Sequence, residues 1–146
     1  FALRELIRSG GRESTLSGTR SSSADVARFF VPRLASEKVE SMWLVGLDSR
    51  NRVRFTRCIA RGSTSRCAAS PAEIVRPLVI NGTPAGILVH NHPSGDPTPS
   101  GDDLAFTVGV SAVFDLLGHR LLDHVVVGAE GYASMRDAGL GPWAEP

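Results

Sequence analysis

The stretch HNHPSGDPTPSGDD, residues 90–103, is the passage on which the reading of this chain turns. Fourteen positions hold two histidines, three aspartates, two serines, two glycines and three prolines. It directly follows AGILVH (residues 85–90), a short continuous apolar run of the kind expected for a strand buried on both faces. In an extended segment His90 and His92 point to the same side. The end of a buried strand is also a common place for ligand sites in α/β folds. On the other flank, Ser100 and Asp103 open an apolar helical run, and Ser-x-x-Asp is a helix-capping pair. Two readings stand side by side. The stretch is a rigid polar turn leading into a helix, or a metal site in which two imidazoles and a carboxylate are brought together by a proline-restricted loop. Asp96 and Asp102 are alternative carboxylates, Asp96 being placed to serve the turn among the prolines.

Working outward, residues 101–117 are predicted to form a helix with Phe106, Val110, Val113 and Leu117 on one stripe and Gly118 as its stop. DHVVVG (residues 123–128) is expected to be a strand and YASM (residues 132–135) a final short one. His124 is either a satisfied structural histidine or a partner of the neighbouring site, and His119 is expected to be exposed in a turn. Upstream, a helix over 24–37 is signalled by the Ser22 and Asp25 capping pair and by Val26, Phe29, Phe30 and Leu34 at helical spacing. MWLVGLD and RVRFTRCIA read as a hairpin around the turn at 48–51. SPAE (residues 70–73) starts another helix, which Pro77 should kink or shorten by removing a backbone donor. The expected class is α/β (α+β): a mixed sheet flanked by helices over residues 24–146. Residues 9–23 are rich in Gly, Ser and Thr and read as a linker, so 1–23 is taken as a tail from a preceding module that ends in FALRELIR. Beginning with Phe1 rather than Met fits a piece of a longer protein.

At 146 residues and a net charge of +1, the composition is that of one globular domain. No apolar run approaches the roughly 18–20 residues of a membrane span, so no membrane partner is expected. A secretion signal is not evident, and Cys58 and Cys67 form no C-x-x-C pair, which points to the cytoplasm. The charge is unevenly spread: residues 1–70 hold 13 basic and 6 acidic side chains, residues 71–146 hold 3 and 9. Arg50, Arg52, Arg54, Arg57, Arg61 and Arg66 form the densest basic region, with Arg52 and Arg54 expected on one strand face and Val53 and Phe55 on the other. A solvated sheet face and a nucleic-acid patch both fit, although no stacking aromatic shares the expected face of Arg52 and Arg54. A homo-oligomer is compatible with all of this.

The 90–103 stretch resembles the metal motif of the JAMM (MPN-plus) metalloprotease superfamily: His-x-His, seven residues, Ser, two residues, Asp. HNHPSGDPTPS is similar to the RadC-like branch, as are LLDHVVVG (residues 121–128), YASM, and VESMWLVGLDSRNRV (residues 39–53), which matches the segment carrying the upstream glutamate. The resemblance covers roughly residues 24–138. It implies a JAMM/MPN-like fold of cytidine-deaminase-like architecture, although the Pro-Cys-x-x-Cys and His-x-Glu signatures of nucleobase deaminases are absent. The implied site is one zinc ion on His90, His92 and Asp103, with Glu40 as general acid/base and Ser100 stabilising the oxyanion. The implied activity is hydrolysis of a peptide or isopeptide bond, in a protein conjugate or a small amide. Two other functions stay open: a metal- or ligand-binding module without turnover, and a DNA-associated factor using the arginine-rich hairpin. The chain departs from the branch at Ala72 and Pro77, where an arginine and an uninterrupted helix are usual. It also holds at most the last helix of the helix-hairpin-helix module that precedes the domain in longer members.

Overall fold

A computed structural model describes residues 18, 21–62 and 69–146. FALRELIR, most of the expected linker at 9–23, Arg66 and Cys67 lie outside the described residues. The elements run α1 (Ser23–Leu34), β1 (Ser41–Leu47), β2 (Val53–Arg61), α2 (Pro71–Ile80), β3 (Ala85–Asn91), α3 (Gly101–Leu116), β4 (Arg120–Val127) and β5 (Tyr132–Ser134), then a short 3₁₀ turn at Gly141–Trp143. The sheet order is β2-β1-β3-β4-β5. All neighbours are antiparallel except β3 and β4, which are parallel and joined through α3. The expected mixed sheet flanked by helices is therefore the observed α+β fold.

Every residue of β1 and β3 is buried because helices cover both faces of the sheet. Alternation along the strands sorts their side chains into two cores. On one face Trp43, Val45, Leu47, Ile87 and Val89 pack against Val26, Phe29, Phe30 and Leu34 of α1. On the other, Met42, Leu44 and Leu88 pack against Ile74, Val75 and Leu78 of α2 and Val110 and Phe114 of α3. Full burial of each large side chain contributes about 1.5–3 kcal/mol, and both faces are needed to hold the central strands.

Local signals act as their chemistry requires. Ser22 caps α1 and Ser100 caps α3, each in a reciprocal capping box with the acid three residues on. Ser70 caps α2, with Pro71 at the first turn. Pro77 lies inside α2, which ends three residues later at Ile80. Gly118 takes a φ of 77° just past α3, a left-handed stop that costs a glycine little.

Four expectations need correction. α1 ends at Leu34 rather than at residue 37. The buried stripe of α3 is Asp103, Thr107, Val110 and Phe114, while Leu117 is exposed, so the helix is turned towards a polar pair as well as the core. His119 is half-buried and its Nδ1 donates to the Thr83 carbonyl at 3.1 Å. Val53 and Phe55 serve opposite cores, because Leu47 pairs with Val53 and Gly46 with Phe55, leaving Arg54 as the extra residue of a bulge. In that hairpin Asp48 ion-pairs with Arg52 (3.2 Å) and Arg54 (2.9 Å), which neutralises part of the basic patch. No helix among the described residues is long and apolar enough to cross a membrane.

Candidate metal centre

His90 is the sixth residue of β3 and shares the α2/α3 face with Leu88. His92 follows as the chain leaves the sheet, where its N–H donates to the Val127 carbonyl at the end of β4. From there the loop turns back on itself. Gly95 accepts from the Ala129 N–H, and the loop packs so closely on Gly128 that a Cβ there would lie 2.7 Å from Pro97 Cδ. Asp96 closes the turn, its carboxylate accepting from the N–H (3.0 Å) and hydroxyl (2.7 Å) of Thr98. Those hydrogen bonds, the backbone one first, hold its pKa below the usual carboxylate range. The Asp96 side chain thus serves the turn, and Asp102 is exposed in the first turn of α3.

Asp103 is fully buried, and it is the carboxylate that reaches the histidines. Its Oδ2 lies 3.0 Å from His92 Nε2 and its Oδ1 3.4 Å from His90 Nε2, while the two Nε2 atoms are 3.0 Å apart. The capping geometry fixes this orientation: Ser100 donates its N–H to Asp103 Oδ2 at 2.8 Å, and the Asp103 N–H donates to Ser100 Oγ at 3.0 Å. Capping and clustering are therefore one arrangement, in which the helix start holds Asp103 against the two imidazoles with Ser100 bonded to it.

Glu40 arrives from a different part of the chain. β1 and β3 are antiparallel with Met42 opposite His90, so continuing the register by two residues brings Glu40 level with His92. One carboxylate oxygen of Glu40 and one ring nitrogen each of His90 and His92 lie within 4.8 Å of one another. Asn91 holds the backbone on both sides of Glu40: its Oδ1 accepts from the Ser41 N–H (2.8 Å), and its Nδ2 donates to the Val39 carbonyl (3.0 Å).

The donor set fits a zinc ion. His92 Nδ1 must donate to the Asp96 carbonyl at 2.9 Å, since a carbonyl only accepts, so Nε2 carries the lone pair. His90 likewise engages Nδ1 away from the cluster, with His124 Nε2 at 2.7 Å. Two imidazole edges and a carboxylate then face one another at 3.0–3.4 Å. Zinc–ligand bonds of about 2.0–2.2 Å require tetrahedral ligand separations of about 3.3–3.6 Å, so the 3.4 Å pair already matches and the two 3.0 Å pairs would open by a few tenths of an ångström around an ion. Acceptors so close repel unless a cation or proton lies among them, and two nitrogens plus a carboxylate oxygen are ligands zinc takes.

The structure places His90, His92, Asp103, Ser100 and Glu40 in one neighbourhood. Sequence reasoning did not single out Asn91 and Thr107, and left His124 between two readings. Thr107 had a signal: it falls four residues after Asp103 on the same helix face, a polar residue on a stripe that should be apolar. His124 is fully buried, and that burial first, then the neighbouring His90, pushes its pKa well below the usual imidazole range.

The chain matches the RadC-like JAB domain family over residues 20–140. Among curated proteins it is similar to a UPF0758 protein of Syntrophotalea carbinolica, 39% identical over 140 residues, 95% of this chain and 62% of that one. It is also similar to UPF0758 protein STH371 of Symbiobacterium thermophilum (36% identity, 79% of this chain, 49% of the relative). A third relative is UPF0758 protein gbs1168 of Streptococcus agalactiae (38% identity, 80% of this chain, 51% of the relative). The chain spans about half to six-tenths of the length of these relatives.

Proposed function

This chain belongs to the RadC-like JAB domain family, and from that premise we propose that it is a zinc-dependent metallohydrolase of JAMM type that cleaves a peptide or isopeptide (amide) bond. The observation that carries the reading is the convergence of Glu40 with His90 and His92, next to the buried carboxylate of Asp103.

In this reading His90, His92 and Asp103 hold the ion. Zinc, when bound, supplies Lewis acidity and lowers the pKa of water at the site towards ~7. Glu40, reaching the cluster from the neighbouring strand, takes a proton from the attacking water and returns it to the departing amine. Asn91 keeps Glu40 in reach by holding the backbone on either side of it. Ser100, whose Oγ is oriented by the Asp103 N–H, donates to the carbonyl oxygen as negative charge develops there. Asp103 is assigned as ligand and Glu40 as base because the Asp103 oxygens lie in direct contact with both imidazoles. The substrate is an amide-linked protein or small molecule. Cys58 is a free thiol, in keeping with a cytoplasmic setting.

The test has two parts. Zinc content is measured in the purified protein and in His92→Ala; near-stoichiometric metal in the first and little in the second is expected, and negligible metal in both overturns the reading. Amide and isopeptide substrates are then screened with wild type and Glu40→Gln. Loss of turnover by orders of magnitude with zinc retained supports Glu40 as the acid/base. Equal turnover removes it from that role, and zinc without turnover of any substrate favours a metal-holding module.

A further inference from the structure

We propose that Thr107 and His124 are positioning residues that set the tautomer of His90, so that its Nε2 lone pair faces the metal site. The inference rests on reading His90 as a ligand, and it follows from where three protons must lie.

Thr107 Oγ1 is 2.6 Å from the Asp103 carbonyl and 2.7 Å from His124 Nδ1. A carbonyl only accepts, and two oxygens at this separation need a proton between them, so the Thr107 hydroxyl donates to Asp103. That hydroxyl has a single proton. Towards His124 it can only accept, and His124 Nδ1 is the donor. His124 is fully buried with a hydroxyl on one ring nitrogen and an imidazole on the other, surroundings that favour the neutral ring. Its Nε2 is then a lone pair, which accepts from His90 Nδ1 at 2.7 Å. With its proton committed there, His90 presents Nε2 unprotonated towards His92 and Asp103.

The chain of bonds also closes on itself. It starts at the Asp103 backbone carbonyl and ends at His90, whose far nitrogen lies 3.4 Å from the Asp103 carboxylate. The start of α3 and the end of β3 are thereby held in register through β4, where His124 lies beside Leu88. Ligating histidines depend on the partner of their second nitrogen for orientation and basicity. Here that partner is another imidazole, which can face either way, and Thr107 removes the choice.

Long-range ¹H–¹⁵N correlation of the histidine rings in chelator-treated wild-type protein reads the tautomers directly, without zinc or turnover. His90 and His124 are both expected as Nδ1–H forms; a predominant Nε2–H form at His90 overturns the proposal. In Thr107→Val the hydroxyl is gone, His124 can reverse, and a tautomer mixture at His90 is expected. Zinc affinity per folded molecule, by chelator competition, should fall on the order of 10–100-fold, and Thr107→Ser should restore both readouts. Unchanged tautomers and affinity in folded Thr107→Val overturn the proposal. If wild type binds no zinc, the zinc reading fails, and the ring correlations alone decide this one.

Discussion

The side-chain oxygen of Asn91 accepts the backbone N–H of Ser41 at 2.8 Å, tying the end of the strand that carries His90 and leads into His92 to the residue after Glu40. The same carboxamide donates to Val39, the residue before Glu40, and Asn91 is almost fully buried. Asn91→Ala removes both bonds and leaves the buried Ser41 N–H and the part-buried Val39 carbonyl without this partner. Stability is expected to fall by about 2–3 kcal/mol in denaturant titration. Turnover on any amide substrate should fall further than zinc content does, since the ligands keep their own supports. Asn91→Asp keeps the acceptor and loses the donor, and should lie between the two.

Gly128 is where the ligand loop rests on the end of β4. A Cβ there meets the Gly95 carbonyl and lies 2.7 Å from Pro97 Cδ, so Gly128→Ala must displace the segment whose Asp96 carbonyl orients His92. The expected cost is about 1–3 kcal/mol. Zinc affinity, measured by chelator competition on the folded fraction, should weaken. Wild-type affinity in this variant would show that the loop contact does not orient His92.

Phe114 is fully buried between α3 and the sheet, on the core face that also carries His90. Phe114→Ala should destabilise the fold by about 3–5 kcal/mol in equilibrium unfolding. The conservative Phe114→Leu should recover more than half of that loss.

Asp48 ties the β1–β2 turn, accepting from the N–H groups of Arg50 and Arg52 and pairing with Arg52 and Arg54. The backbone bond from Arg52, more than any other contact, lowers its pKa to about 2. A depressed carboxylate stabilises the fold above its unfolded pKa of ~3.9, and that contribution is lost as pH falls towards 2. Asp48→Ala should therefore be less stable than wild type at pH 6, and the gap should close progressively between pH 4 and pH 2. A gap independent of pH over that range would mean that the charge of Asp48 contributes nothing.

Much of the fold could be read from local chemistry. The capping pairs at Ser22 and Ser100, the Ser-Pro start at Ser70 and the glycine stop at Gly118 each act within three or four residues, and each stands where expected. Local rules fell short where packing decided the outcome. The stripe of α3 turned so that Thr107 and Asp103, rather than Val113 and Leu117, face inward, because a buried histidine and a buried carboxylate had to be satisfied. The bulge at Arg54 likewise sends Val53 and Phe55 to opposite cores, which strict alternation along one strand does not show.

By itself the sequence determined what spacing along one segment controls: a histidine pair on one side of a strand end, a rigid turn, and a helix start carrying a serine and an aspartate. Only the tertiary structure decided what joins them. Glu40 and Asn91 meet through an antiparallel register between residues about fifty apart, and His124 reaches His90 through a parallel pairing across 34 residues. Such meetings depend on which strands lie side by side and in what register, and that choice is made by burying two apolar faces of one sheet.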